Sequence, residues 1–276
     1  AAARLLTMTT SPAEFPEDGP YHMNGPVTVS TQGVVAEPGA DLVLSDLALT
    51  NSLFQISSGR LSVSNSFYTT NAVFSLASAR IIVPGSGWTG SCSLGGSGTI
   101  EGSMFLTGLE VRPANGTNDL RLNGNLELTR TNSTLLVRLS QESSLISSAH
   151  LVVQGRVNVR GNFRLSADLR LNELMLSTNP IVVLESDQPL TGEFENARSG
   201  ALLTSVDGSF QYRLFYGETN PHGANKLVLS HIGTPFDQWR FARFSLEQLQ
   251  DPAISAPFAD PDGNGFNNVA DFVLAH

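Results

Sequence analysis

Two residue types are almost missing from this 276-residue chain: cysteine occurs once, as Cys92, and lysine once, as Lys226. A single cysteine excludes an intrachain disulfide and a thiolate-bound metal. It lies in a glycine- and serine-rich turn, WTGSCSLGG, with no sequence-local group to activate a thiolate, so it reads as an inert small residue. Charge of either sign is scarce, at 15% of residues, and what there is leans acidic: 16 basic residues against 25 acidic ones give a formal charge of -9 and a pI near 5.0. Nucleic acid and anionic membrane both need a positive field and are poor partners for such a chain. No apolar run approaches the ~20 residues of a membrane span. The histidines, His22, His150, His222, His231 and His276, show no metal-binding spacing, which argues against zinc.

What the chain has in quantity is glycine, serine, threonine and asparagine between short apolar runs, a mix that suits many strands joined by turns. Residues 1–26 are proline-rich (Pro12, Pro16, Pro20, Pro26) with little periodicity and read as an extended N-terminal arm or cap. The opening AAARLLTM lacks the apolar core of a signal peptide, and its small residues fit an end left by signal cleavage. Residues 27–232 alternate apolar and polar side chains, the period of a half-buried strand. In VNVRGNFRLSADLRL, Val157, Val159, Phe163, Leu165, Ala167, Leu169 and Leu171 are expected on one face, with Arg160, Arg164 and Arg170 among those on the other. Similar runs, DLVLSDLALT, GRLSVSNSF and NDLRLNGNLELTR among them, recur along the chain at rough intervals of ~10–20 residues. Alternation alone leaves a sandwich and a solenoid both open.

The segment Ser93 to Leu139, with SLGGSGTIEG, then RPANGT, then LNGNLEL, resembles the autotransporter-associated β-strand repeats of bacterial surface proteins. The stretch from Pro180 to Leu229, VVLESDQPLTGEFEN to NKLVLSH, is similar to the strands that close such regions. The resemblance implies an all-β chain built as a right-handed parallel β-helix, secreted and displayed outside the cell. RPANGT departs from the usual Pro-Gly turn of those repeats.

After His231 the texture becomes aromatic and helical, marking residues 233–276 as a small C-terminal α-helical module. Thr234 with Pro235 and Asp237 predicts one capped helix start, and Ser245 with Gln248 a second. Two short helices then lead through DPAISAPFA into DPDGNGFNNVAD. Counted from Asp260, oxygen-bearing side chains fall at positions 1 (Asp260), 3 (Asp262), 5 (Asn264), 9 (Asn268) and 12 (Asp271), with Gly265 at position 6. This is the EF-hand spacing, in which position 7, here Phe266, offers only its carbonyl. Hard oxygen ligands in that order select Ca²⁺, and aspartate at position 12 predicts a modest structural site. An Asx-rich turn without metal would use the same residues. The end WRFARFSLEQLQ to DFVLA also resembles a C-terminal module of large secreted proteins of verrucomicrobial and planctomycete type, with a dockerin-like or thrombospondin type 3-like calcium loop. A dockerin carries two such loops, and this sequence has one.

A β-helix can host polysaccharide-cleaving enzymes, but the strand-region carboxylates (Asp41, Asp46, Glu101, Glu110, Asp119, Glu127, Asp168, Glu173) fall in no paired motif and read as solvated outer residues. A set of arginines, Arg121, Arg130, Arg138, Arg156, Arg160, Arg164 and Arg170, reads either as a solvated strand face or as a ladder for acidic polysaccharide. The expected role is structural, not enzymatic: a subunit of an extracellular fibre or surface assembly, self-associating as a homo-oligomer or filament, with Ca²⁺ stabilising the end. The alternative is a glycan-binding adhesin using an outer Arg and Asn face.

Overall fold

The computed structural model describes residues 6–7, 13–15, 21–30, 33–36, 38–112, 119–142, 145–148, 150–168, 180–208 and 210–275. Pro12, Pro16, Pro20, Asn115, Leu169, Arg170, Leu171 and Glu173 lie outside them. Strands account for 55% of the structure and wind into a β-solenoid of about five turns.

Each turn lays down three strand segments, and each segment pairs in parallel with its equivalent one turn later. On the first face Leu42 pairs with Leu61, and further along Ile81 with Ile100, Ile100 with Leu122, and Leu122 with Val153. On the second face the column runs Val27, Leu47, Phe67, Trp88, Met104, Leu126, Val157. On the third it runs Val34, Phe54, Phe74, Leu94, Val111, Val137, Leu165. Two strand segments of the proline-rich arm pair in parallel with the first strands of the solenoid: Leu6 with Val27, and Ala13 with Val34.

The alternation seen in sequence is real, but a single run covers two faces. Strand Asp41–Thr50 buries Leu42 and Leu44, turns Ser45 and Asp46 outward in succession, then buries Leu47 and Leu49. Two consecutive outward residues mark a corner, because they shift the inward set by one position and let the chain bend. The expected single face over 157–171 is divided in the same way. Gly161, at φ +81°, separates strand Val157–Val159 on the second face from strand Asn162–Asp168 on the third. A Cβ there would lie 2.1 Å from the Ser133 carbonyl oxygen. Other corners use Asn51 and Asn71, at φ 47° and 50°, with the Asn71 amide donating to Asn51 Oδ1 at 3.3 Å. Asparagine tolerates this left-handed conformation because its side chain bonds locally.

The interior is continuous and apolar along the stack. Its widest side chain is Trp88, fully buried, with the Phe67 ring stacked at 4.3 Å and Phe74 edge-on at 4.6 Å. The indole N–H donates to Thr69 Oγ1 at 2.8 Å, satisfying the one polar atom the ring carries into the core.

The far end is closed by antiparallel strands. Ile181–Ser186 pairs antiparallel with Lys226–Gly233, which pairs with Gln211–Phe215, which pairs with Leu202–Thr204. On the third face, Asn196 imitates a further strand: its Oδ1 accepts from the Phe163 N–H at 2.9 Å and its Nδ2 donates to the Phe163 carbonyl at 2.8 Å.

Four helices follow: α1 (Pro235–Arg243), α2 (Leu246–Gln250), α3 (Pro252–Ser255) and α4 (Asn268–Leu274). Both predicted capping boxes form, Thr234 with Asp237 and Ser245 with Gln248. The stretch DPAIS, read above as part of a linker, is itself a helical turn, because Asp251 caps it by accepting from the Ala253 N–H at 2.9 Å. Helix α1 is tied to the solenoid through Gln238, whose amide donates to the His231 carbonyl. Phe272 of α4 packs edge-on against Phe236 and Trp239 of α1, at 5.6 and 6.2 Å.

Candidate metal centre

The loop from Asp260 to Asp271 begins a few residues after α3 and runs into α4. Its turn is built by backbone N–H groups pointing at side-chain oxygens, since Gly263 and Gly265 take φ +69° and +88°. Asp260 Oδ1 and Oδ2 accept from the N–H groups of Asn264 and Gly265 at 3.2 and 3.0 Å. Asp262 Oδ1 accepts from the Asn264 N–H at 3.3 Å, and Asn264 Oδ1 from the Phe266 N–H at 2.7 Å. Asp260, Asp262 and Asn264 are therefore gathered at one turn. No atom lies within 4 Å of where a Cβ on Gly263 or Gly265 would stand, so positive φ, and not crowding, calls for glycine at both.

The other predicted ligands are placed differently. Phe266 is half exposed. Asn268 is fully buried, and its Nδ2 donates to the carbonyls of Ile254 and Ala256, both at 2.8 Å, pinning α4 to α3. Its Oδ1 is buried without a hydrogen-bond partner. Asp271 stands in the first turn of α4, where a carboxylate suits the helix dipole. Between Asp262 and Asp271 sits Arg243, with Nη2 3.6 Å from Asp262 Oδ2 and 3.9 Å from Asp271 Oδ2. Among the described residues no three His, Cys, Asp or Glu side chains converge on a common point that could hold a metal ion. The donor set is nonetheless all oxygen, and the orphaned Asn268 Oδ1 fits a loop that gains a further partner when a cation or water binds. Arg243 was not legible as part of this site, because it lies on α1, far from the loop in sequence.

The outer faces of the solenoid carry ion pairs. Arg60 Nε donates to Asp41 at 2.7 Å, and Arg80 holds Glu101 with two bonds of 2.8 Å, which keeps that carboxyl below its usual range. Burial pushes the Glu110 carboxyl up, but hydrogen bonds from Arg138 and Arg112 outweigh it and hold the group below its usual range. His150 Nδ1 meets Asp119 at 3.0 Å. Burial pushes the Cys92 thiol far up, in keeping with an inert side chain. The arginine set does not form one line. Arg121 lies on the first face, Arg138 and Arg164 on the third, and Arg130, Arg156 and Arg160 beside the ends of second-face strands. A hollow of about 650 Å³ on the first face is lined by Arg80, Thr99, Glu101, Asp119, Arg121 and Asn123.

No protein-family model matches this chain, and neither the search of curated proteins nor that of solved structures gave a match. The class that the coordinates define is the β-solenoid.

Proposed function

We propose that this chain is a secreted or cell-surface structural protein, a subunit of an extracellular fibre or surface assembly whose C-terminal module is stabilised by Ca²⁺. The solenoid, read as right-handed and of the autotransporter-associated repeat type, serves as a stiff spacer. Asp260, Asp262, Asn264, Asn268 and Asp271, with the Phe266 carbonyl, hold the ion, which supplies positive charge to a module carrying six carboxylates against two arginines. The observation that carries the reading is where apolar surface is exposed. Of the eight exposed large apolar side chains among the described residues, Phe258, Phe266, Val273 and Leu274, exposed by 81, 50, 64 and 69%, belong to the C-terminal module, and Leu53, Tyr68, Leu202 and Val206 are spread along the strand region. Exposed apolar side chains gathered on one module support a contact surface there. The first and third faces already end on an antiparallel strand and on the Asn196 amide, which covers the strand edge on those two faces and favours contact through side chains of the module. Electron microscopy and light scattering in millimolar calcium, and again after chelation, test it. Calcium-dependent fibres are expected; monomers at high concentration in both conditions would sink the fibre reading.

A second reading, a glycan-binding adhesin, is favoured by the polar hollow on the first face, where Arg80 and Arg121, paired with Glu101 and Asp119, and Asn123 offer hydrogen-bonding groups to a polysaccharide. The dispersal of the remaining arginines over several faces weighs against an extended ladder of this kind. Binding on an array of acidic polysaccharides, lost in Arg121→Ala, would favour it.

A further inference from the structure

We infer that Arg243 is the resident counter-cation of the Asp260 to Asp271 loop, and that calcium binds by displacing it. This rests on the calcium reading above. Asp262 and Asp271 are the position 3 and position 12 ligands of that reading, and one guanidinium nitrogen faces both, at 3.6 and 3.9 Å. These separations exceed a direct hydrogen bond, so the attraction is electrostatic and easily exchanged for a stronger cation.

The neighbouring arginine shows what a fixed guanidinium looks like in this module. Arg240 is buried, 3.6 Å from Asp237, and donates to Ser255 Oγ at 3.0 Å. Arg243 is half exposed, and its guanidinium also lies 5.3 Å from the centre of the Trp239 ring. Helix α1 is held at its start by the Thr234 capping box, and α4 packs against it through Phe272, so Arg243 is delivered to the gap between two carboxylates on a preset frame. With the ion absent, Arg243 screens the repulsion between Asp262 and Asp271. With the ion present, its positive charge opposes binding, and it moves away from the carboxylates.

The test uses the full chain and two variants of the arginine, Arg243→Gln and Arg243→Lys, with Trp239→Phe as a reporter control. Calcium is titrated calorimetrically, and thermal unfolding is followed by tryptophan fluorescence with and without chelator, with Trp239→Phe identifying the signal of the module. Arg243→Gln should melt earlier than the parent in chelator, should bind calcium about tenfold more tightly at low ionic strength, and should lose the calcium-induced change at Trp239. Arg243→Lys should lie near the parent in affinity. Equal affinity in parent and Arg243→Gln, with calcium binding intact, would overturn the competition while leaving the calcium site standing. Absence of any binding heat or melting shift in both would overturn the calcium site and the competition together.

Discussion

At the scale of single residues, the solenoid is held by a few side chains whose polar atoms are answered inside the core. Thr69 exists in its buried position to accept from the Trp88 indole, and Thr69→Val keeps the shape while removing the acceptor. The expected loss is about 1–3 kcal/mol, the cost of a buried donor left without a partner, read from urea unfolding. Glu110 gives a second prediction, in pH. Its folded-state carboxyl titrates below the ordinary 4.5, so its contribution is present above that value and is lost as pH falls through the lower folded one. Glu110→Gln should therefore be less stable than the parent at neutral pH, with the gap closing as the solution is acidified below 4.5. A gap that widened on acidification would show that its arginine pairs do not stabilise the fold.

At the scale of elements, closure of the stack depends on groups that imitate a strand. Asn196 supplies one acceptor and one donor to the Phe163 backbone, so Asn196→Ala leaves both orphaned at the end of strand Asn162–Asp168. Faster hydrogen exchange confined to the amides around Phe163 is the expected outcome, with the early turns unchanged. Uniform acceleration along the chain would mean that the end is not a separate cooperative unit. For α1, Thr234→Ala removes a capping box and should cost about 1 kcal/mol, visible as a lower melting temperature of the module in chelator.

At the scale of the whole molecule, the turns differ in length along the stack. Ladder partners lie 20 residues apart at Leu47 and Phe67 and 16 apart at Trp88 and Met104, but 31 apart at Leu126 and Val157. Each turn touches only its neighbours, so a longer loop at a corner is tolerated without disturbing the interior. This drift hid the repeat from inspection of the sequence, since the inward positions stay aligned in space while their spacing in the chain changes. Calcium removal is expected to lower the stability of the module and leave strand content unaltered, a separation that far-UV circular dichroism with and without chelator would check.

The sequence by itself determined the strand-rich character, through alternation of apolar and polar side chains. It also determined the two helix starts, through Thr234 with Asp237 and Ser245 with Gln248, and the turn of the oxygen-rich loop, through Gly263 and Gly265. These are local properties, set by side-chain period, by caps and by positive φ within a few residues. Tertiary structure alone decided between sandwich and solenoid, because both bury every second side chain and differ only in which strand lies beside which. It also decided that Asn268 spends its amide on the carbonyls of Ile254 and Ala256, and that Arg243 faces Asp262 and Asp271. Those contacts join segments distant in the chain, and their geometry follows from how α1, α3 and α4 pack together.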